Sequence, residues 1–564
     1  MSVAAEVSPA YPQSYYYLWH LAALGVIKAD FGQPPAEMPG EDDSAIREKP
    51  DPKISSTAWD LIAAAGSVHP AKVALIDVGV SRDHPNLASR VERGESIDLA
   101  SHRYGARIAE QLNDDDPHTP EERYSFFANL SLSGLGNLGL SNDDDEYLAE
   151  IVAEYKSSQG VLRRLIDPET LFASHGTACA GLIVGEPAAI VEATGETQVP
   201  EVIFDASGPD AAPSRNRNVL PYFGVDPFSR LVSIRTSFES DPLQFIAAFL
   251  YAYQQRADVI VLPRGLPDPK RSRVQPKNEL KADLEQYRNR DAADLFARIA
   301  VALNGPAELD PHATQEGSNP QRLWKILKHL IVAISRKIPI VCAAGNSGES
   351  QMIYPASLAA DNNGIIAVGA VTVEGFRSGY SNYGEGLTLV APSDDGEVFN
   401  RHQLRIDRLS PFFVRHAYPP GQLKQYRYSH FSLLTTDLPG WFGYDSGANP
   451  WSSLLPFSDN PGIGGGYYTT FGGTSGAAAL IGGVCALVQR AYKINHGANS
   501  RLNGVKLKTL LTEASTHDSI VAPGFRPLTP DCMNSDAEDA HGVTYFFGAG
   551  LPHANEAVRL ALLQ

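Results

Sequence analysis

The chain has 564 residues, of which 43% are hydrophobic and 20% charged, and its formal net charge is −18. Such a composition is ordinary for a soluble globular protein, and the length requires two domains or one large domain with insertions. The acidic balance argues against a nucleic-acid-binding surface and against attachment to anionic membranes.

Cysteine usage and the first residues bear on the cellular compartment. The four cysteines, at 179, 342, 485 and 532, are too sparse for a disulfide framework and lack metal-ligand spacing, so we expect buried free thiols. The N-terminus lacks the basic start and apolar core of a secretory signal. The sequence contains no run of about 18 apolar residues, so it predicts no membrane span. A cytoplasmic protein is therefore the expectation.

Short apolar runs bounded by turn residues predict strands that are buried on both faces. Helical patterns at 241–256 and 320–337 lie between them. The alternation predicts an α/β fold with a mainly parallel central sheet flanked by helices. The predicted strands are AKVALIDVG at 71–79, ADVIVLP at 257–263, IPIVCAAG at 338–345, GIIAVGAVTV at 364–373 and LTLVAP at 387–392.

Four polar or irregular stretches are interpreted as insertions into this alternation, at about 88–170, 186–222, 266–318 and 394–462. The first contains two acidic patches, LNDDDPHTPEE and NDDDEY. Neither matches the spaced D-x-[DN]-x-[DN]-G calcium loop, so we expect solvated acidic loops. Structural calcium remains an alternative without a clear motif.

One serine, Ser475, lies among glycines and alanines in FGGTSGAAALIGG. By itself this segment fits a tightly packed helix start, or a serine held where helix N–H groups stabilise an anion. Three further patterns bear on the choice: LIDVGV has Asp77 at the end of a predicted strand, ASHGTACAGLIVG has His175 followed by small residues that open a helix, and CAAGNSG has Asn346 in a glycine turn after a strand. Each alone is ordinarily a cap or turn residue. Since the chain places acid, histidine, asparagine and serine in turn, the set indicates nucleophilic catalysis.

The chain resembles the subtilisin-like serine peptidases, the subtilases, whose acid, histidine and serine follow the same order. Other segments resemble the family in one consistent order over most of residues 13–560. The resemblance implies a three-layer subtilisin-like fold over residues 13–564, after a lead of residues 1–12. The matching segments are QSYYYLWHL at 13–21, HPNL at 84–87, GVDPFSRLVSIR at 224–235, YAYQQRADVIVLPRG at 251–265, YPAS at 354–357, IIAVGAV at 365–371, YSNYGEGLTLVAP at 380–392 and YFFGAGLPHANEAV at 545–558.

The resemblance implies a serine endopeptidase that needs no cofactor and no catalytic metal. Ser475 would attack a peptide carbonyl, and His175 would take its proton and return it to the leaving amine. Asp77 would orient the imidazole and stabilise its charged form. The side-chain amide of Asn346 and the backbone N–H of Ser475 would hold the developing oxyanion.

The sequence departs from the family pattern around the substrate. Gly476 and Leu480 replace the family's usual Met or similar residue and its proline. The substrate-binding strand is Pro263, Arg264 and Gly265 here, and Pro263 lacks an N–H for an extended substrate. One hypothesis is that Arg264 favours an acidic residue on the acyl side of the scissile bond. The alternative is that Arg264 faces solvent or pairs with a local acid.

Several alternatives stay open. The insertions either border the cleft or decorate the periphery. A catalytic domain that starts within about 15 residues, without a propeptide, favours an intracellular enzyme. Its activity would be restrained by a regulatory partner, a closed loop or a narrow range of protein substrates. A truncated sequence explains the same observation.

The other function classes are a catalytically silent subtilase fold used as a binding or regulatory module, and an esterase or transpeptidase with the same acyl-enzyme. A sedolisin-type peptidase would use a glutamate base, against which HGT at 175–177 argues.

Overall fold

A computed structural model describes the framework of the chain. The described residues are 18–27, 56–66, 69–82, 84–99, 135–157, 163–164, 173–186, 190–191, 197–198, 222–236, 242–266, 320–372, 375, 377–394, 433–438, 444, 468–517 and 542–564. The helices are α1 (Trp19–Ala23), α2 (Ala58–Ala64), α3 (Asn142–Ser157), α4 (Ser174–Val184), α5 (Pro242–Gln254), α6 (Pro320–Ser335), α7 (Gly473–His496), α8 (Gly504–Glu513), α9 (Gly542–Phe547) and α10 (Ala554–Leu562).

The strands are mostly short and buried. They are β1 (Lys72–Asp77), β2 (Ile97–Asp98), β3 (Arg163–Arg164), β4 (Ile190–Val191), β5 (Thr197–Gln198), β6 (Arg230–Arg235), β7 (Val259–Leu262), β8 (Ile340–Ala343), β9 (Ile365–Val371), β10 (Leu389–Pro392), β11 (Leu433–Thr436), β12 (Tyr468–Phe471), β13 (Ser515–Thr516) and β14 (Leu551–Pro552).

Eight strands form one sheet in the order β10-β9-β8-β7-β1-β6-β2-β3. All neighbours in it are parallel except β2 and β3. β1 pairs with β6 from Lys72↔Arg230 to Asp77↔Arg235, and with β7 on its other side. The carboxyl ends of β1, β7 and β8 therefore lie side by side at one edge. The predicted α/β fold with a mainly parallel sheet is confirmed.

The order of the strands places helices on both faces of the sheet. The chain passes from β1 through β2 and β3 to α4 and β6, and from there through α5 to β7 and through α6 to β8. α4 packs against α7, whereas α5 packs against α6, and these two pairs of helices cover different faces of the sheet. This gives three layers with α4 at the edge where Asp77 ends β1.

The 24-residue helix α7 packs along the sheet on the side of α4. A Cβ at Gly482 would meet Val261 of β7, and one at Gly483 would meet Val225. These glycines let the helix approach the sheet closely. By length and composition α7 could cross a membrane, but 89% of its most apolar window is buried inside the protein, as expected of a core helix.

The predicted peripheral features are only partly described. The acidic patch at 142–147 is the start of α3 rather than a loop, and Asp144 Oδ1 accepts from Arg322 Nε at 2.8 Å. That bond lowers the pKa of Asp144. The patch at 112–122 and the predicted lead at 1–12 lie outside the described residues, as do most of the predicted insertions, so the domain boundaries remain predictions.

Three of the predicted free thiols are described. Cys179, Cys342 and Cys485 are buried and free, as predicted, whereas Cys532 lies outside the described residues. Burial raises the pKa of each of the three thiols. They are therefore protonated near neutral pH and behave as small apolar groups.

α1 contains a histidine that is fully buried. Neither ring nitrogen of His20 has a hydrogen-bond partner among the described residues, and its ring meets Trp19 edge-on. Burial lowers the pKa of His20 from 6.5 to about 3, since charging the ring inside the core is unfavourable. Between these two values the unfolded chain therefore binds one more proton than the folded chain.

We expect His20 to make the folded state less stable in mild acid. Above pH 6.5 His20 is neutral in both the folded and the unfolded chain. As the pH falls from 6.5 toward the folded pKa of about 3, only the unfolded chain binds the proton, so the free energy of unfolding decreases. Between pH 7 and pH 5 this group alone costs about 2 kcal/mol of unfolding free energy. Urea unfolding of the wild type and His20→Phe at both values measures the difference. An equal acid-dependent loss in both proteins would contradict this account.

Candidate active site

Asp77 and His175 meet at the carboxyl edge of the sheet. Asp77 is the last residue of β1 and is 1% exposed, whereas the His175 side chain is 21% exposed. His175 Nδ1 lies 2.8 Å from Asp77 Oδ2 and 3.0 Å from Oδ1. With a carboxylate as acceptor, the proton of a neutral imidazole resides on Nδ1, which leaves Nε2 as a base.

Close backbone contact explains how α4 delivers His175 to this carboxylate. His175 is the second residue of α4, and Gly176 follows it. A Cβ at Gly176 would overlap the carbonyl oxygen of Gly79, just beyond β1. Gly79 itself has a φ of +118°, a left-handed conformation that favours glycine. The two glycines let the start of the helix lie directly on the strand end.

Cys179 lies one turn after His175, and its Sγ is 4.0 Å from His175 Nδ1. Burial and the Asp77 carboxylate raise the pKa of Cys179 well above its usual value, so this thiol is not an activated nucleophile. Since it approaches Nδ1, it also lies on the side of the imidazole opposite to the Nε2 base.

Asp77, His175 and Cys179 are the one group of three potential ligands close enough to share a metal ion among the described residues. They offer one nitrogen, one sulfur and a carboxylate, whereas calcium requires six to eight oxygen ligands. The group therefore does not fit calcium.

Ser475 is the third residue of α7, on the helix N-terminus. Its Oγ donates to the carbonyl oxygen of Pro263 at 2.6 Å. Among the described residues, no hydrogen bond joins Ser475 to His175. The structure thus brings the predicted acid and base together, whereas the predicted nucleophile is hydrogen-bonded to Pro263 of the predicted substrate-binding segment.

Three of the first four backbone N–H groups of α7 have hydrogen-bond acceptors. Gly473 N donates to Asp394 and Tyr380, Thr474 N donates to Asn346 Oδ1 at 2.9 Å, and Gly476 N donates to the carbonyl of Gly472. In the described part of the chain, the Ser475 N–H has no acceptor. It is therefore free to bind an anion at the positive end of the helix dipole.

Asn346 lies in the turn after β8 and faces this helix end. Its Oδ1 also accepts from Thr474 Oγ1 at 2.8 Å, and Thr474 Oγ1 accepts from Gly345 N at 3.0 Å. With Oδ1 so occupied, Asn346 Nδ2 is left as a donor with no acceptor in the described ranges. Sequence reasoning missed the locking role of Thr474, for which the threonine in GGTS was the only available signal.

Part of the predicted 394–462 insertion borders this site. β11 belongs to it, and Thr435 and Thr436 donate their hydroxyls to carbonyls of α4 at 2.6 and 2.8 Å. β11 pairs with β12, whose Phe471 meets the His175 ring with centroids 5.5 Å apart. Tyr444 contacts Phe471 in turn. These described residues favour the expectation that the insertion shapes the cleft.

The predicted substrate-binding residues follow β7 at the same edge. Pro263 is buried, and Gly265 is exposed. The half-buried Arg264 lies with its Cζ 5.6 Å from the centre of the Phe245 ring of α5. Burial lowers the pKa of Arg264, and the Asp77 carboxylate partly offsets this shift. Arg264 therefore packs on an aromatic ring within the electrostatic reach of the candidate acid.

The chain matches the model of a known protein family over most of its length. The model described as the subtilase family matches residues 69–550. A calcium-dependent protease of Nostoc sp. is 26% identical over 397 residues, which are 69% of this chain and 40% of that protein. Subtilisin BL of Lederbergia lenta is 45% identical over 60 residues, 11% of this chain and 21% of that protein. The chain thus spans less than half the length of these curated relatives.

Solved structures resemble the chain more distantly in sequence. A lanthipeptide protease aligns at 14% identity and a TM-score of 0.44, covering 97% of this chain and 96% of that chain. The epidermin leader peptide processing serine protease of Staphylococcus aureus aligns at 16% identity and a TM-score of 0.43, covering 88% of this chain and 78% of that chain.

Proposed function

Since the chain belongs to the subtilase family, we propose that it is a serine endopeptidase with Asp77, His175 and Ser475 as its catalytic triad. The observation that carries the proposal is the Asp77 carboxylate on Nδ1 of His175, at 2.8 Å. This bond orients the imidazole and leaves Nε2 as the general base. The free N–H of Ser475 and the Asn346 amide supply the two donors that an oxyanion requires.

The proposed reaction begins when Ser475 Oγ leaves the Pro263 carbonyl and turns toward Nε2 of His175. His175 takes the hydroxyl proton as Oγ attacks the peptide carbonyl carbon. The carbonyl oxygen becomes an oxyanion between Ser475 N and Asn346 Nδ2. His175 then gives the proton to the departing amine. In the second half of the reaction His175 takes a proton from water as the water attacks the acyl-enzyme, and returns it to Ser475 Oγ as the ester bond breaks.

Substrate choice is proposed to depend on Arg264 and on the insertion at 394–462. The cation of Arg264 at the substrate-binding strand supports a preference for an acidic residue on the acyl side of the scissile bond. The contacts of β11 with α4 support a cleft that limits which protein segments enter. A regulatory protein partner that restrains the enzyme is part of the same proposal.

The cytoplasmic setting and the cofactor requirement are also proposals. The buried free thiols of Cys179, Cys342 and Cys485 support a reducing compartment. The chemistry of the triad needs no cofactor. A structural calcium ion, suggested by the name of the Nostoc relative, would have to be held elsewhere than by Asp77, His175 and Cys179.

Labelling by a fluorophosphonate probe tests whether the serine is activated. We expect the wild type to be labelled and Ser475→Ala to be unlabelled, because the probe reacts with an activated hydroxyl. His175→Ala should also lose labelling, since it removes the base. Circular dichroism of each variant controls for folding. A folded wild type that stays unlabelled, or a labelled Ser475→Ala, would contradict the proposal, and the first result would favour a catalytically silent module.

A further inference from the structure

A buried carboxylate contacts the turn that carries the nucleophile. Asp394 lies two residues beyond the end of β10 and is 6% exposed. Its Oδ1 accepts from Gly473 N at 3.1 Å and from the Tyr380 hydroxyl at 2.7 Å. Gly473 is the first residue of α7, and it lies two residues before Ser475. The carboxylate therefore contacts the backbone immediately ahead of the nucleophile.

The Gly473 peptide units are held from two directions. Its N–H also points at the Tyr380 hydroxyl oxygen at 3.0 Å, and its carbonyl accepts from Ser393 Oγ at 2.8 Å. Gly473 has a φ of +71°, in the left-handed region. Because glycine is conformationally permissive there, outside contacts are needed to fix the turn.

A displacement of Gly473 would shift both predicted oxyanion donors. Thr474 follows Gly473 directly and binds Asn346 Oδ1 through its N–H and its hydroxyl. Ser475 comes next and provides the other donor. The direction of Asn346 Nδ2 and of the Ser475 N–H thus depends on where the Gly473 peptide lies.

Gly472 is matched to the same carboxylate. A Cβ at 472 would overlap Asp394, whose Oδ1, Cγ and Oδ2 are its three nearest atoms. The φ of Gly472 is −164°, an extended conformation that any residue adopts. The glycine is therefore required by the position of Asp394 rather than by its own backbone.

The electrostatic setting suits an ionised Asp394 and a neutral Tyr380. A negative charge is favourable at the N-terminus of α7, where the helix dipole is positive. Burial and the nearby carboxylate raise the pKa of Tyr380 well above its usual value, so its hydroxyl remains a donor at neutral pH.

We propose that Asp394 is a positioning residue for the acyl-transfer reaction: with Tyr380 it fixes the Gly473 peptide and so directs Ser475 and both oxyanion donors. The inference rests on the proposed function of this site and deepens it. Asp394 acts through the turn and touches no reacting atom. Removing it allows the turn to move, which misaligns donors that must match the transition state.

Kinetics of Asp394→Ala and Asp394→Asn on an extended peptide amide test this role, with active-site titration to count competent molecules. We expect Asp394→Ala to lower kcat about 10- to 100-fold with KM changed by less than about threefold. The Ki of a peptide boronic acid, which forms a tetrahedral adduct, should rise by the same factor as kcat falls. Asp394→Asn keeps an oxygen acceptor and should recover kcat to within about threefold of the wild type.

Asp258→Asn is the matched control, because Asp258 is a buried carboxylate that pairs with Lys493 near the other end of α7. It should lower stability without changing kcat per titrated site. If Asp394→Ala does not fold, Tyr380→Phe takes its place and should show the same split between kcat and KM. If the wild type is active and the kcat of Asp394→Ala, or of Tyr380→Phe in its place, lies within about threefold of the wild-type value, the inference alone is overturned. An inactive, unlabelled wild type would overturn the proposed function as well.

Combining substitutions at Gly472 and Asp394 gives a second readout, since one substitution should offset part of the kcat loss of the other, and a purely structural role would not produce this. Gly472→Ala should lose kcat strongly, because the new methyl group displaces the carboxylate or the turn. The double variant Gly472→Ala, Asp394→Ala should have a higher kcat than the product of the single effects predicts. Losses that multiply independently would contradict the matched pair.

Discussion

Replacing Asp77 by asparagine will lower kcat by about 10⁴ at neutral pH while the protein remains folded. The reason lies in how the carboxylate is held. Val78 N donates to Asp77 Oδ1 at 2.7 Å, and His175 Nδ1 lies nearer to Oδ2. An asparagine would keep its oxygen opposite the Val78 N–H, which turns its NH₂ group toward His175. Nδ1 must then accept, the proton moves to Nε2, and the base is lost.

Steady-state kinetics on a peptide amide, with thermal unfolding of each protein, checks this expectation. KM should stay close to the wild-type value, because Asp77 is 1% exposed and is not expected to touch the substrate. Asp361→Asn, at an exposed position, is the control for loss of a negative charge alone. A fall of less than about tenfold in kcat would mean that Asp77 does not set the tautomer of a catalytic base.

Where local sequence carries the physical signal, the sequence predicted the fold well. β1, β7, β8, β9 and β10 all lie within the predicted apolar runs, because strands buried on both faces need continuous apolar residues. β6 was not predicted as a strand, although it lies beside β1. Its buried Ser233 interrupts the apolar run, and the Ser233 N–H donates to Ser96 Oγ at 3.1 Å. That partner is 137 residues away, so no local window reveals it.

The same distinction applies to the site. Asp77, His175, Asn346 and Ser475 were singled out because each stands in a short pattern at a strand end or helix start. Asp394 was not, because its partner Gly473 is 79 residues away and nothing near it in the sequence marks a contact.

Pro263 shows a second limit of the sequence. That Pro263 lacks an N–H is evident from the residue type. The hydrogen bond from the Ser475 hydroxyl to the Pro263 carbonyl depends instead on the packing of α7 against the end of β7. Contacts between elements decide such bonds, and periodicity and propensity describe only the elements themselves.

Stability depends strongly on a second buried contact of α7, the ion pair of Arg490 with Asp226. Arg490 Nη1 lies 2.5 Å from Asp226 Oδ1, and the two side chains are 3% and 0% exposed. Asp226 also accepts from Ser229 Oγ, and the Arg490 guanidinium lies over the Phe228 ring at 4.8 Å. The pair ties the helix that carries Ser475 to the turn ahead of β6, away from water.

Asp226→Ala should therefore lower the free energy of unfolding by about 3–5 kcal/mol, since it leaves the guanidinium buried without its counter-charge. Asp226→Leu combined with Arg490→Met should recover much of this loss, because no charge then remains to be desolvated. Glu556→Ala is the matched control: it removes the carboxylate from an Arg559 pair whose side chains are 39% and 50% exposed, and should cost less than about 1 kcal/mol. Urea unfolding followed by circular dichroism compares all four proteins. If Asp226→Ala cost no more than Glu556→Ala, the buried pair would not stabilise the position of α7, and packing of the helix against the sheet alone would have to account for it.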